Sequence, residues 1–164
     1  MTTDVRRRIT AFLATHTTMT LATVGPDGAP AAAAVFYAHD DALNLYFLTE
    51  ARTQHGQNML ASPLVAATVQ ADGQDWRAIR GVQMRGTASL VAAGELAHAA
   101  AGYGRKYAFV ATLLAGSGGP GVLAGPLSKA RFWVLRPSWL RLIDNTVRFG
   151  FKEEWTLDDA TETD

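Results

Sequence analysis

The chain of 164 residues contains no cysteine. This absence excludes disulfides, thiolate zinc sites and a cysteine nucleophile. The sequence also lacks any apolar run near the roughly 20 residues that a membrane-spanning helix needs. Its N-terminus does not show the basic, apolar and small-residue order of a signal peptide. We therefore expect a cytoplasmic protein that does not bind membranes.

An excess of positive charge is missing as well. Fifteen lysines and arginines balance fifteen aspartates and glutamates, so the formal net charge is zero. Proteins that bind nucleic acid through its phosphates concentrate positive charge on one surface. Here the basic residues cluster only at Arg6–Arg8, on one face of a predicted N-terminal helix. We expect no nucleic-acid partner.

The usual sequence signatures of catalysis are also absent. The four histidines, His16, His39, His55 and His98, never fall at metal-ligand spacing, which predicts no metal site. There is no G-x-S-x-G elbow, although a Ser-His-Asp triad stays open because its members need not be neighbours in sequence. The glycine-rich stretch Gly116–Gly125 lacks the Lys-Ser/Thr that closes a P-loop, which favours a flap or a plain connection. No catalytic residue is identified, and a cofactor would have to carry any redox chemistry.

Hydrophobic periodicity predicts a chain made mainly of strands. Helical spacing is confined to Thr3–Thr15, Gln54–Ala61 and Ala92–Val110. Alternating runs between turn-forming pairs predict strands at Thr18–Val24, Pro30–Tyr37, Ala42–Thr49, Leu64–Gln70, Asp75–Leu90, Leu127–Arg136, Trp139–Asp144 and Val147–Trp155.

Strands so closely spaced, with little helix between them, favour a small closed or nearly closed antiparallel barrel over an α/β sheet. We therefore predict a mainly β fold, a β-barrel with flanking helices, as a single domain over residues 1–157. The acidic stretch 158–164 is expected to be a disordered tail.

The most informative stretch is the junction between the third strand and the second helix. Thr49, Arg52, Thr53, Gln54 and His55 place two hydroxyls, a guanidinium, an amide and an imidazole within seven residues. A helix start adds unpaired N–H groups and the positive end of the helix dipole, so the junction suits an anion such as a phosphate. The alternative is structural: Thr53 is then only the helix N-cap, and Arg52 a solvated surface residue.

The alanine run at residues 31–34 is a second unusual feature, because alanine is a poor strand former. Small side chains would let a flat ring, or another backbone, lie against the sheet. A tightly packed strand or an alanine-rich helical turn would explain the run equally well.

Five motifs in order resemble a known family. They are the N-terminal helix, the hairpin T-L-A-T-x-x-x-D-G-x-P, L-Y-F-L-T followed by R-T-Q-H-x-x-N, the strand W-x-x-I-R-G-V-Q-x-x-G and the late I-D-N-x-x-x-F-G-F-K-E-E-W. Together they resemble the pyridoxamine 5'-phosphate oxidase-like family of FMN-binding split β-barrels, over about Arg8 to Trp155. The resemblance implies an antiparallel, Greek-key-like barrel of six to eight strands. It also implies a homodimer that binds two FMN molecules in grooves between the protomers and acts on a small molecule.

The resemblance also assigns cofactor contacts by position. The residues are Phe47, Leu48, Thr49, Arg52, Thr53, Gln54, His55, Asn58, Gln83, Trp139 and Lys152. The first three would line the flavin, the next four would hold its phosphate with Asn58 behind them, and Gln83 would lie near the ring edge. Trp139 and Lys152 would reach the cofactor of the partner subunit. Their other readings are an exposed strand residue for Gln83, core or interface for Trp139, and a solvated lysine for Lys152.

This chain departs from the family pattern in two places. Gln54 and His55 stand where lysine is common, and the arginine-rich C-terminal substrate segment is missing, so vitamin B6 is not the expected substrate. An FMN-dependent oxidoreductase with an unknown donor and acceptor is the first expectation. The alternatives are a reductase that uses the deazaflavin F420, a haem- or flavin-carrying protein with His39 or His98 as the haem ligand, and a barrel that binds nothing tightly.

Overall fold

The computed structural model describes residues 3–115 and 127–157, so the stretch Gly116–Gly125 and the acidic tail 158–164 lie outside the described residues. The helices are α1 (Thr3–Thr15), α2 (Gln54–Ala61), α3 (Leu96–Lys106) and α4 (Ala108–Ala115). The strands are β1 (Thr18–Val24), β2 (Pro30–His39), β3 (Leu45–Thr49), β4 (Leu64–Gln70), β5 (Arg80–Leu90), β6 (Arg131–Asp144) and β7 (Lys152–Thr156).

In the described part of the chain, six strands form a closed antiparallel barrel. Their order is β3-β2-β1-β4-β5-β6, and pairing of β3 with the first half of β6 closes the ring. Strand β7 pairs with the second half of β6 and extends the sheet beyond the barrel. The prediction of a mainly β barrel with flanking helices is confirmed.

The strand β6 runs unbroken through Pro137, where the sequence predicted two strands separated by a turn. A β-bulge on β6 explains the difference: Arg85 pairs with Trp139 and Gly86 with Pro137, so Ser138 is an extra residue without a partner on β5. Proline is tolerated in a sheet at such irregular positions, where its missing N–H leaves no ladder bond broken. The backbones approach so closely that a Cβ on Gly86 would lie 2.0 Å from the carbonyl oxygen of Arg136.

Several other predicted boundaries also shift. Leu43 has a φ of 66° and belongs to a turn, so β3 begins at Leu45. The stretch from Asp75 opens with a 3₁₀ turn, Trp76–Ala78, before β5 starts. The predicted helix over 92–110 is a 3₁₀ turn followed by α3 and α4, which are separated at Tyr107. The last strand begins at Lys152, because residues 145–150 form the turn.

The helices cover some barrel surfaces and leave others bare. Helix α1 packs against β2, where the hydroxyl of Tyr37 donates to the carbonyl of Leu13, and α2 packs where β1 ends. Helices α3 and α4 lie on the outside, over apolar side chains of β2, β3 and the start of β6. The outer face of β1, β4, β5 and the end of β6 has no helix on it among the described residues. None of the described helices is long and apolar enough to span a membrane.

Candidate functional site

Three polar side chains meet where β3 ends and α2 begins. The hydroxyl of Thr49 and Nε2 of His55 share a hydrogen bond of 2.6 Å, and the Thr49 and Thr53 hydroxyl oxygens lie 3.3 Å apart. Thr53 accepts a hydrogen bond of 3.1 Å from the N–H of Gly56, so it is the N-cap of α2. Burial lowers the pKa of His55 from its ordinary value of 6.5. We call Thr49, Thr53 and His55 the strand-end cluster.

The guanidinium of Arg52 lies beside this cluster and is largely exposed. Its Nε donates to the carboxylate of Glu50, two residues earlier. An anion at the helix start would therefore have to compete with Glu50 for this arginine. The position of Arg52 is the one that the structural alternative describes, that of a solvated surface residue.

Asn58 connects the start of α2 to the barrel wall. Its Oδ1 accepts a hydrogen bond of 2.9 Å from the side chain of Gln54, and its Nδ2 donates one of 3.0 Å to the hydroxyl of Thr23 on β1. Both Asn58 and Thr23 are buried. The pair fixes the helix start relative to the end of β1.

Two residues expected to line a flavin have their side chains elsewhere. Phe47 is fully buried in the barrel core, and Leu48 packs outward against the cluster under α3 and α4. Phe47 therefore offers a ligand only its backbone atoms, whereas Leu48 is partly buried.

A row of side chains crosses the bare outer face. Successive strand pairings place Ala32 opposite Ala22, Ala22 opposite Ala66, Ala66 opposite Arg85 and Arg85 opposite Trp139. Side chains paired in this way lie on the same face of the sheet. We call this surface the outer alanine face.

Two hollows lie on the outer alanine face and share Ala22, Ala66, Arg85 and Trp139. The larger has a volume of about 620 Å³ and is also lined by Thr23, Val24, Pro30, Leu64 and Ser138. The smaller has about 270 Å³ and is also lined by Thr20, Thr68 and Gln83. Thr23 is thus both the partner of Asn58 and a wall of the larger hollow.

Trp139 is held between two arginines. The Arg85 and Arg141 guanidinium carbons lie 4.4 Å and 4.9 Å from its ring centroid. Arg141 also donates to Oε1 of Gln83 at 3.1 Å and to Glu154 at 2.9 Å. Gln83 and Trp139, two of the predicted residues, are therefore brought together.

Lys152 is exposed on β7 opposite Ile143, two residue pairs beyond this network. Sequence reasoning missed Arg85 and Arg141. The alternation along β5 and β6 was the available signal, because it places them on the same face as Gln83 and Trp139.

The two histidines considered as haem ligands line a separate, small cavity. His39 and His98 border about 100 Å³ together with Asp40, Tyr46 and Arg105. Nε2 of His98 lies 3.8 Å from Oδ2 of Asp40, which also accepts a hydrogen bond of 3.0 Å from Tyr46. Among residues 3–115 and 127–157, no three histidine or acidic side chains are placed to hold a metal ion.

The closed barrel, its bare outer face and the polar cluster at the end of the third strand define a split β-barrel protein. A family model described as pyridoxamine 5'-phosphate oxidase matches residues 5–143, and the chain belongs to that family. A UPF0306 protein of Klebsiella pneumoniae subsp. pneumoniae is 31% identical over 128 residues, which are 77% of each chain.

Among solved structures, a heme binding protein from Mycobacterium smegmatis has a TM-score of 0.71 at 23% identity. The alignment covers 92% of this chain but only 56% of that one. HutZ, the heme storage protein from Vibrio cholerae, has a TM-score of 0.64 at 18% identity, with 80% of this chain and 88% of that chain covered. At these identities the likeness concerns the fold alone.

Proposed function

We propose that the protein is an FMN-binding oxidoreductase that works as a cytoplasmic homodimer on a small molecule. The observation that carries the proposal is the buried hydrogen bond from Asn58 to Thr23. It fixes the start of α2, where a phosphate would bind, against the end of β1 beside the outer alanine face, whose two hollows would take the flavin ring and the small molecule. Ligand pockets typically have volumes of about 300–1,000 Å³.

The side chains of Thr49, Thr53 and His55 and the first N–H groups of α2 would hold the phosphate, and Arg52 would turn to it from Glu50. Hydroxyl and N–H donors at a helix start suit an anion in chemistry and in charge. Gln83 and Trp139 would contact the ring system. Bound flavin supplies hydride or electron transfer, and this chain's residues bind it, orient it and exclude water from it.

Dimerisation is supported by the apolar side chains exposed near the outer alanine face. Val24, Phe36 and Leu64 are 48%, 51% and 68% exposed. Exposed apolar side chains grouped on one face are typical of a surface that a partner covers, and homo-oligomers with twofold symmetry are the commonest assemblies. A second copy on this face would close the hollows, so the cofactor would lie between the protomers.

The visible spectrum of the purified protein tests the proposal. Paired flavin bands, with FMN released on denaturation, would support it, as would stabilisation of a colourless preparation by added FMN. Bands of the deazaflavin F420 would instead indicate a reductase that uses that cofactor. A colourless protein whose melting temperature FMN does not change would contradict the proposal.

A second candidate, haem carriage, is favoured by the names of the Mycobacterium smegmatis and Vibrio cholerae structures. The cavity beside His39 and His98 argues against it in this chain. Its volume of about 100 Å³ is well below the roughly 300 Å³ at which ligand pockets begin. A Soret band in the purified protein that disappears in His98→Ala would establish haem binding there.

A further inference from the structure

We propose that the larger hollow is the substrate subsite and takes a flat, conjugated carboxylate whose negative group pairs with Arg85. That this ligand is a substrate rests on the proposed function. The affinity for a planar anion rests on the hollow itself. Arg85, Trp139 and the alanine floor together suit this class of ligand.

The charge at the rim of the larger hollow favours an anion. The other guanidinium on Trp139 belongs to Arg141, which forms an ion pair of 2.8 Å with Glu154. In residues 3–115 and 127–157, no carboxylate lies within 4.0 Å of the Arg85 guanidinium. The rim of the hollow therefore carries one positive charge that the described part of the chain leaves uncompensated.

The position of the Arg85 guanidinium against Trp139 suits a carboxylate. The guanidinium carbon of Arg85 lies over the Trp139 ring, 4.4 Å from its centroid. Stacking uses the flat face of a guanidinium and leaves the N–H groups at its edge available, so they can bind a carboxylate in pairs. Contact with the ring also restricts the arginine before a ligand arrives, and less conformational entropy is lost on binding.

The floor of the larger hollow is apolar and carries small side chains at its centre. Ala22 and Ala66 lie opposite each other on β1 and β4, and Val24, Pro30 and Leu64 surround them. Such a surface accepts the flat side of a conjugated ring, since the two alanines present only methyl groups to it. An apolar floor with one cation at its edge orients a ligand that has one apolar and one negative end.

A cofactor whose phosphate binds at the strand-end cluster would leave Arg85 free for a second ligand. Neither hollow is lined by the described residues 49–55, where the cofactor phosphate is proposed to bind. A cofactor held there would not need Arg85 for its phosphate.

The test compares nicotinate with nicotinamide, which share a flat ring and differ in charge. Binding of each is measured by calorimetry to the full-length protein, both loaded with FMN and as purified. We expect nicotinate to bind more tightly than nicotinamide, and Arg85→Gln to weaken nicotinate binding by about tenfold to a hundredfold. Nicotinamide binding should change little, and Arg85→Lys should recover part of the loss because it restores the charge without the paired N–H groups.

Arg77→Gln is the matched control. Arg77 stacks on Trp76 at 4.2 Å, as Arg85 stacks on Trp139, but it pairs with Asp75 and lines neither hollow. Its substitution should leave both affinities unchanged. The FMN affinity of Arg85→Gln, measured by quenching of flavin fluorescence, should equal that of the unaltered protein.

Four results would overturn the inference. Equal affinity for the two probes would remove the charge preference, and full nicotinate affinity in Arg85→Gln would remove the arginine. Loss of FMN affinity in Arg85→Gln would assign the residue to the cofactor. If neither probe binds because a second copy fills the hollow, the subsite is absent, although FMN binding stands. Charge discrimination without FMN binding would instead keep the subsite and reject the flavin proposal.

Discussion

The side-chain amide of Asn58 donates a hydrogen bond of 3.0 Å to the hydroxyl of Thr23, and both residues are buried. Asn58 lies on α2 and Thr23 on β1, 35 residues apart in the chain. Because a buried polar group without a partner is costly, this bond limits how far the helix can shift relative to the sheet. It therefore keeps the strand-end cluster and the larger hollow at one fixed separation.

Asn58→Ala should lower the free energy of unfolding by about 1–3 kcal/mol, because the buried Thr23 hydroxyl loses its partner. Urea denaturation of Asn58→Ala, Thr23→Val and the double variant measures the coupling between the two positions. We expect a coupling energy of at least about 0.5 kcal/mol, the value typical for residues in contact. Purely additive effects would show that the bond does not contribute to stability.

Arg52→Ala should weaken FMN binding by about tenfold to a hundredfold, following the usual contribution of a charge-assisted hydrogen bond. Glu50→Gln should strengthen FMN binding, because the carboxylate that pairs with Arg52 in the free chain is removed. Fluorescence titration with FMN measures both effects. Arg77→Ala is the control at a surface distant from the cluster in sequence, and an unchanged affinity in Arg52→Ala would place the phosphate elsewhere.

The pKa of His55 should rise when FMN binds. In the free protein burial lowers this pKa from 6.5, so as the pH falls below about 6.5 the unfolded chain takes up the proton first. His55 should therefore cost the folded state stability as the pH falls from about 6.5 through its lowered pKa. A nearby phosphate dianion favours the charged imidazolium and raises the pKa.

Nuclear magnetic resonance of the four histidines against pH checks this prediction, with His55→Gln to assign the signal. The midpoint for His55 should lie below 6.5 without FMN and move upward with it. The same midpoint in both samples would mean that the phosphate does not lie beside His55.

Gly86→Ala should be strongly destabilising, by about 1–3 kcal/mol or more. The new Cβ would lie 2.0 Å from the carbonyl oxygen of Arg136, so one of two paired backbones must move. Gly94→Ala is the matched control, since no atom lies within 4 Å of the equivalent position there. Thermal unfolding compares the two, and equal melting temperatures would contradict the close approach at the bulge.

Much of the fold could be read from local patterns. The bounds of α1, α2, β1 and β4 agree with the structure, because each has a clear period and a clear end: a turn pair, a cap or a proline. Elements whose course depends on a neighbouring strand were harder. Pro137 was predicted to end a strand, and only the bulge at Ser138, opposite Arg85 and Gly86 of β5, explains why β6 continues through it.

The candidate site also has one part that local sequence predicts and another that depends on the tertiary structure. Thr49, Thr53 and His55 are close in sequence, so a local motif was enough to group them, and the helix cap at Thr53 has a local cause. Phe47 was assigned to the cofactor by position, but the barrel turns its side chain into the core. The cofactor contacts themselves remain predictions.

The amino-acid sequence by itself determined the strands, the helix start at the end of β3 and the polar side chains gathered there, because these follow from the order of neighbouring residues. Only the tertiary structure decided that Ala22, Ala32, Ala66, Arg85 and Trp139 form one row. Five strands contribute to that row, and their register depends on pairings between distant segments, which no local pattern specifies. The uncompensated charge of Arg85 beside an apolar floor is likewise a property of the closed barrel.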